Sequence, residues 1–369
     1  MTDTDLERIL SRIEVQKTYP PLMIKLVEEI HKEASILYND VKVLRRMASE
    51  ILDRGLVNIR RIGRNTSALN RFVCGVDGSF YVLKSIGRVF LGIIGLALVS
   101  FTKGFESIRQ PDIDVKVLIE KVKPPPPISP EDIIGIRMMI GESKLIEKAS
   151  SMGADFVFID GPIIDPPSFS DPLYVKERTK ALINSLEKGT TIIGVVKRFE
   201  STIIASILGN DELLDTDILP ILFNTAYKKF GIPRDTATYT NPIIISSSNG
   251  NHLSAVFNAY SEEFAKHNYE LRIIASFIQP GYGKRPFRVE IISPESSDME
   301  EDELINLVAA WITPGLDVPL PVYLAHHSCM IRKRVAQLVL SEALSRLAST
   351  AEEEDLSNIK ALLECGEVL

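Results

Sequence analysis

The sequence predicts a mixed α/β fold: a central sheet with flanking helices, a helical N-terminal region before it and a helical C-terminal tail after it. Three observations carry this. Residues 3–56 have apolar side chains at helical spacing. Three closely spaced β-like runs follow between 71 and 120, the pattern of an antiparallel meander. From 129 to 198, helix-like and continuous apolar segments alternate, as they do where helices cover buried central strands. The divisions fall at 1–59 for the helical region, 60–335 for the sheet domain and 336–369 for the tail.

The elements follow in order. "YPPL" at 19–22 interrupts the first helical pattern and starts a second, longer helix. "RRIGRNTSALNR" (60–71) is basic and turn-rich, and leads into "FVCGVDGSFYVLKSI". There the alternation of Phe72, Cys74 and Val76 predicts a half-buried strand ending at Asp77. "VFLGIIGLALVSF" (89–101) and "DIDVKVLIEKV" complete the meander. "KPPPPISP" (123–130) is a stiff connector. It delivers a strong helix start, with Ser129 as N-cap, Pro130 at the first helical position, and Glu131 and Asp132 favourable to the dipole. That helix runs to about Met152, where Gly153 ends it. "DFVFID" is a strand buried on both faces; a helix over 172–187 and the strand "TTIIGVVKRF" follow. Beyond a helical and loop region at 201–240, strands are expected near 242–247, 271–278 and 286–292, then helices over 298–312, 325–348 and 352–364.

The bulk numbers narrow the function. With 369 residues, 45% hydrophobic and 25% charged, the chain is an ordinary globular protein. A net charge of −7 and a pI near 5.5 count against an autonomous nucleic-acid binder. They leave room for a local basic groove, or for an enzyme that receives DNA from a partner. Three scattered cysteines make neither a disulfide framework nor a zinc site, which fits a reducing cytoplasmic interior. The acidic, amphipathic start is no secretory signal, and the run 89–101 is too short to span a bilayer, so no membrane partner is expected. The sequence holds no Walker loop and no Gly-x-Ser-x-Gly elbow, so any ATP-driven step belongs to a partner.

Two strands end in the same words, "GVDGS" at 75–79 and "FIDGP" at 158–162. Each alone is a common turn. The helix between them changes this: its apolar stripe runs Ile134, Met138, Leu145, Ala149, Met152 and passes through Glu142, whereas Glu147 shares a solvent face with Ser143, Lys144 and Ser151. A glutamate in a buried stripe is costly unless paired or bound to a cation. Asp77, Glu142 and Asp160 are therefore expected to converge at one rim, the alternative for Glu142 being an ordinary pair with Lys or Arg. Three carboxylates together would protonate unless a divalent cation neutralised them, and all-oxygen ligands favour Mg²⁺ or Mn²⁺. This is the arrangement of two-metal phosphodiester chemistry.

These motifs, with a downstream strand ending in Lys197 and "PVYLAHHS" near the end of the domain, resemble the NurA nucleases over about 60–335. The resemblance implies an RNase H-like nuclease domain with Mn²⁺, or Mg²⁺, in a two-ion site. It implies 5′→3′ exonuclease and single-strand endonuclease activity on DNA, as a homodimer docked on a HerA-type hexameric helicase in DNA-end processing. Asp77 matches the first metal carboxylate, Glu142 the helix glutamate, Asp160 the second aspartate and His326 the histidine. A family tyrosine eight residues before that histidine is absent, since Val318 stands there, and Tyr323 lies in a different phase.

From the residues alone, His326 and His327 are expected in a first helical turn, where the dipole keeps imidazole neutral, and His327 could equally face a core. Lys197 is either a group that stabilises a phosphate or a solvated rim residue. Arg288 and Glu290 form either a salt bridge on the solvent face or part of the site. Arg60, Arg61, Arg64 and Arg71 are candidate DNA-binding residues, against a plain solvated loop. Asp165 is an unassigned acid. Two other function classes compete with the nuclease: a non-catalytic adaptor for a helicase ring, and a glycosidase, which needs only two acids and leaves the third unexplained. Surplus apolar surface in the terminal helices, taken with the resemblance to the NurA nucleases, implies a homodimer whose helices and basic loop shape a channel for single-stranded DNA.

Overall fold

A computed structural model describes residues 20–63, 70–83, 90–123, 128–164, 172–199, 201–207, 213–245, 251–297 and 299–348. The expected helices over 3–18 and 352–364 lie outside these residues, as do Arg64 and Asp165. The chain divides into two compact units, Met1–Leu56 and Val57–Leu369.

The first unit contains α1 (Pro20–Asp53), which begins on the two prolines of "YPPL". Proline suits a first helical turn because that turn's N–H groups have no intrahelical acceptor. Leu22, Leu26 and Ile30, one turn apart, are 50%, 46% and 65% exposed, an apolar stripe facing solvent.

Among the described residues, the second unit is built on one mixed sheet of ten strands: β1 (Ile59–Arg61), β2 (Val73–Leu83), β3 (Phe90–Phe101), β4 (Asp112–Val122), β5 (Phe156–Asp160), β6 (Thr191–Val196), β7 (Thr238–Thr240), β8 (Ile243–Ile245), β9 (Ile273–Gln279) and β10 (Phe287–Ile292). Their order is β1-β7-β9-β10-β6-β5-β2-β3-β4, with β8 alongside β9. The meander β2-β3-β4 is antiparallel, while β5 and β6 continue the sheet parallel to β2. The helices are α2 (Pro130–Ser151), α3 (Pro172–Glu187), α4 (Ile203–Ile207), α5 (Asp215–Lys229), α6 (Asn251–Lys266), α7 (Glu301–Ala310), α8 (Leu320–Cys329) and α9 (Lys333–Ala348).

Strand alternation sends neighbouring side chains to opposite faces. Cys74, Val76, Ile159 and Ile192 pack with Ile134 and Ile146 of α2 and Leu182 of α3. Val73, Phe158, Val195 and Val289 pack on the other side with Leu304 and Val308 of α7, Trp311, and Val322 and Ala325 of α8. The α2 start is as read from the sequence: Ser129 Oγ accepts from the Asp132 amide at 3.0 Å, and the Asp132 carboxylate accepts from the Ser129 amide at 3.4 Å.

Five expectations are corrected. The strand at Asp77 does not end there; β2 runs on to Leu83 against β3, pairing Asp77 with Ala97. Ser143 is buried rather than on a solvent face, because α3 packs over it and Arg178 of that helix donates to its hydroxyl at 3.4 Å. At the end of the same stripe Met152 is 42% exposed, since it lies past the last turn of α2. Arg288 and Glu290 do form an ion pair, at 2.8 Å, but both are buried, since β10 lies between β9 and β6, with the Ile163 amide donating to Glu290 and the Phe199 ring against Arg288. The helix expected over 325–348 is two helices. Ser79 of β2 breaks it, donating to the Cys329 carbonyl and accepting from the Ile331 amide at 3.1 Å, so His326 and His327 stand in the last turn of α8 and not in a first turn.

Candidate active site

Parallel register brings the first three polar groups to one level. Val76 pairs with Ile159 and Asp160 with Val195, so Asp77 is beside Asp160, and Lys197 lies just past the end of β6. Asp77 shares strand parity with Val73, and Asp160 with Phe158, so both carboxylates project to the face covered by α8. That helix approaches very closely, because a side chain at Gly75 would meet the Pro321 carbonyl oxygen at 2.2 Å. Its last turn then delivers His326, whose Nδ1 lies 2.9 Å from Asp77 Oδ2 and 3.0 Å from Asp160 Oδ2. Lys197 Nζ donates to Asp160 Oδ2 at 2.5 Å.

Among the described residues, Asp77, Asp160 and His326 form a group whose ligand atoms all lie within 4.8 Å of one another. Asp77 is 5% exposed and accepts a bond from the Gly78 amide at 2.8 Å. Burial pushes its carboxyl up to about 8, and the negative charge of Asp160 adds to that; the Gly78 amide and the Lys197 ammonium pull the other way. The Cys329 thiol, buried beside the same carboxylate, is also raised, first by burial and then by the Asp77 charge. Two mutually repelling carboxylates and one imidazole nitrogen are the donor set of a divalent cation. The nitrogen suits Mn²⁺ better than Mg²⁺, which prefers oxygen.

Glu142 is 7% exposed and comes to the sheet from α2, on the opposite face from Asp77. A Cβ on Gly78 would lie 3.0 Å from Glu142 Oε1 and 2.8 Å from Met138 Cγ, so the glycine after Asp77 makes the space in which this carboxylate rests. Glu142 is not in the three-residue ligand group, yet its charge reaches Cys329, which also feels Asp77 and Asp160. His327 is exposed and packs against Tyr323 with ring centroids 4.3 Å apart and the planes tilted by 57°.

The arginines are not gathered at this centre. Arg60 and Arg61 are on β1, at the far edge of the sheet; Arg60 pairs with Asp302, and Arg61 donates to the Phe230 carbonyl at 3.4 Å. Arg71 precedes β2 and lies 3.4 Å from Asp155, one residue before β5 begins and so at the opposite strand end from Asp160.

The sequence reading passes over Arg178 of α3. It is 1% exposed and donates to the Ile163 and Pro162 carbonyls, at 3.2 and 3.4 Å, and to Ser143 Oγ at 3.4 Å. The signal is in the sequence, because Arg178 falls in the stripe Tyr174, Arg178, Leu182, just as Glu142 falls in its own.

With the geometry in place, comparison with known proteins is informative. The sequence matches the NurA domain over residues 72–328. Two solved structures share the fold. One is a crystal structure of NurA bound to dAMP and manganese, with a TM-score of 0.53 and 11% identity over 89% of this chain and 98% of that one. The other is a crystal structure of NurA, with a TM-score of 0.55 and 11% identity over 89% and 99%. Curated protein sequences gave no match. The strand order β6-β5-β2-β3-β4, with the antiparallel meander on one side and the parallel pair on the other, is the RNase H-like arrangement.

Proposed function

The chain belongs to the NurA domain family, and from that premise we propose that it is a Mn²⁺-dependent DNA nuclease, able to use Mg²⁺, that hydrolyses phosphodiester bonds at the Asp77–Asp160–His326 centre. The observation that carries this is the convergence of two carboxylates and an imidazole within 4.8 Å, on strands and a helix far apart in sequence.

In this reading Asp77, Asp160 and His326 would hold the cation, and Glu142, which reaches the sheet from the other face, would offer a further carboxylate toward a second. Bound metal supplies Lewis-acid stabilisation of phosphate oxygens and a more acidic water. The protein's own groups do the rest. The buried carboxylates fix the donor positions in advance, and the Gly78 amide orients Asp77. Lys197 neutralises Asp160 in the resting protein and turns to the negative charge that develops on the phosphate. Arg60, Arg61 and Arg71, away from the centre, are proposed phosphate contacts, and Arg64 is proposed as a further one. For Arg60 the phosphate would have to displace Asp302.

Activity in both modes, 5′→3′ exonuclease and single-strand endonuclease, and coupling to a HerA-type hexameric helicase are part of the same proposal. A homodimer is supported by apolar side chains left in solvent: the stripe on α1, and Ile113, Val115, Val117 and Ile119 along one face of the edge strand β4, which are 44–65% exposed. Light scattering that gave only monomer would remove the dimer.

The test is incubation of purified protein with end-labelled single- and double-stranded DNA and Mn²⁺, Mg²⁺ or chelator, beside Asp77→Ala. Cleavage that needs metal and vanishes in a folded Asp77→Ala protein supports the assignment. A well-folded Asp77→Ala protein that cuts at the wild-type rate sinks it. Calorimetry without saturable Mn²⁺ binding would point to the non-catalytic adaptor.

A further inference from the structure

We infer that Arg178 and Glu290 are positioning residues that clamp the loop after Asp160 from beneath and tie it to the helix turn bearing Glu142. The inference rests on the metal-nuclease reading.

Three polar contacts, two of them buried, converge on two consecutive residues. The Arg178 guanidinium donates to the carbonyls of Pro162 and Ile163, at 3.4 and 3.2 Å. The Ile163 amide donates to Glu290 Oε2 at 2.8 Å. A cation therefore holds the carbonyls and an anion holds the amide, two and three residues past Asp160. Glu290 is itself fixed, since Arg288 reaches its other oxygen through Nε at 3.0 Å and Nη2 at 2.8 Å. Arg178 and Glu290 are 1% exposed and Arg288 is 5% exposed.

The third arm of Arg178 reaches Ser143 Oγ at 3.4 Å, and Ser143 adjoins Glu142. One side chain thus bridges the elements that carry two candidate carboxylates. Among the described residues, none of its hydrogen bonds ends on a carboxylate; the three acceptors are neutral. A buried cation answered only by neutral acceptors is costly, and an apolar side chain of similar length would be buried more cheaply. Stability alone therefore does not account for a guanidinium here. Its reach does: its three bonds end on the β5–α3 loop and on α2. Groups that orient ligating carboxylates in this way set metal affinity without touching the metal.

The test compares full-length wild type with Arg178→Met, Arg178→Lys, Glu290→Gln and a control, Leu182→Ala, one turn further along α3 and fully buried. Each is followed by thermal melting, Mn²⁺ calorimetry and DNA cleavage. Arg178→Met is expected to lose about 10- to 100-fold in Mn²⁺ affinity and cleavage. Glu290→Gln should lose less, and Arg178→Lys should recover part of the loss. Leu182→Ala should melt earlier yet keep its Mn²⁺ affinity. If Arg178→Met melts earlier but binds Mn²⁺ like wild type, the clamp is overturned. If wild type itself binds no Mn²⁺, the nuclease reading falls, and crystals of the variants still decide the clamp. A displaced Asp160, with its contacts to His326 and Lys197 broken in Arg178→Met or Arg178→Lys, supports it; an unmoved Asp160 overturns it.

Discussion

His326 Nδ1 lies 2.9 Å from Asp77 Oδ2, joining the last turn of α8 to the middle of β2 across 249 positions of chain. The same nitrogen is 3.0 Å from Asp160, so one ring reads both carboxylates. His326→Ala is expected to lower Mn²⁺-dependent cleavage of single-stranded DNA on the order of a hundredfold, the size found when groups around a metal are removed. The ring is 41% exposed, so the melting temperature should scarcely move. His327→Ala, which removes a tilted contact with Tyr323 and an edge contact with the His326 ring but no candidate ligand, should cut close to the wild-type rate. Equal losses in the two variants would contradict the assignment.

Asp77 makes the site pH-dependent. In metal-free protein its carboxyl is held up to about 8, so a proton must leave when a cation binds. Mn²⁺ affinity should therefore rise with pH up to about 8 and level off above it. The stability of metal-free protein carries the opposite sign. The unfolded carboxyl ionises near 4, so from there up to about 8 the folded state binds the extra proton and stability falls as pH rises. Asp77→Asn should flatten both trends. Calorimetry in buffers of different ionisation enthalpy measures the released proton directly, and no buffer dependence would refute this linkage.

Lys197 competes with a cation for Asp160, since its ammonium is 2.5 Å from the oxygen that faces His326. Lys197→Met should bind Mn²⁺ several-fold more tightly yet cleave about a hundredfold more slowly, because the group that stabilises phosphate charge is gone. A variant with unchanged Mn²⁺ affinity would show that the ion pair opens without cost.

Gly78→Ala places a methyl group 2.8 Å from Met138 Cγ and 3.0 Å from Glu142 Oε1. Overpacking of this kind costs about 1–3 kcal/mol, readable by urea unfolding. The methyl also pushes the carboxylate off the sheet, so cleavage should fall more than stability does. Full activity in Gly78→Ala would remove Glu142 from the centre.

Much of this was legible in the sequence for physical reasons that can be named. The capping box at Ser129 and the proline beside it fix the start of α2 with local contacts alone. The continuous apolar run of β5 ending in Asp160 reads as a buried strand because both of its faces are covered. Asp77 was harder. An Asp-Gly pair inside a strand looks like a turn until one sees that the glycine answers to α2 and not to chain reversal. The break between α8 and α9 has no local signal, since it is made by Ser79, 252 positions from the Ile331 amide it accepts. Arg288 and Glu290, two apart on a strand, read as a solvent-face pair; only the sheet order reveals that β10 is central. Register, too, was invisible, and register is what sets Asp77 beside Asp160.

The seat of α8 on Gly75 has a consequence of its own. A main-chain oxygen rests against a main-chain carbon two residues before Asp77, so no side chain acts as a spacer between helix and strand. Swapping neighbouring core residues can tilt or loosen much of the sheet's cover without altering how far the imidazole stands from the acids. The separation works like a machined shoulder: at this glycine a single methyl would lift the helix and part the ring from its partners.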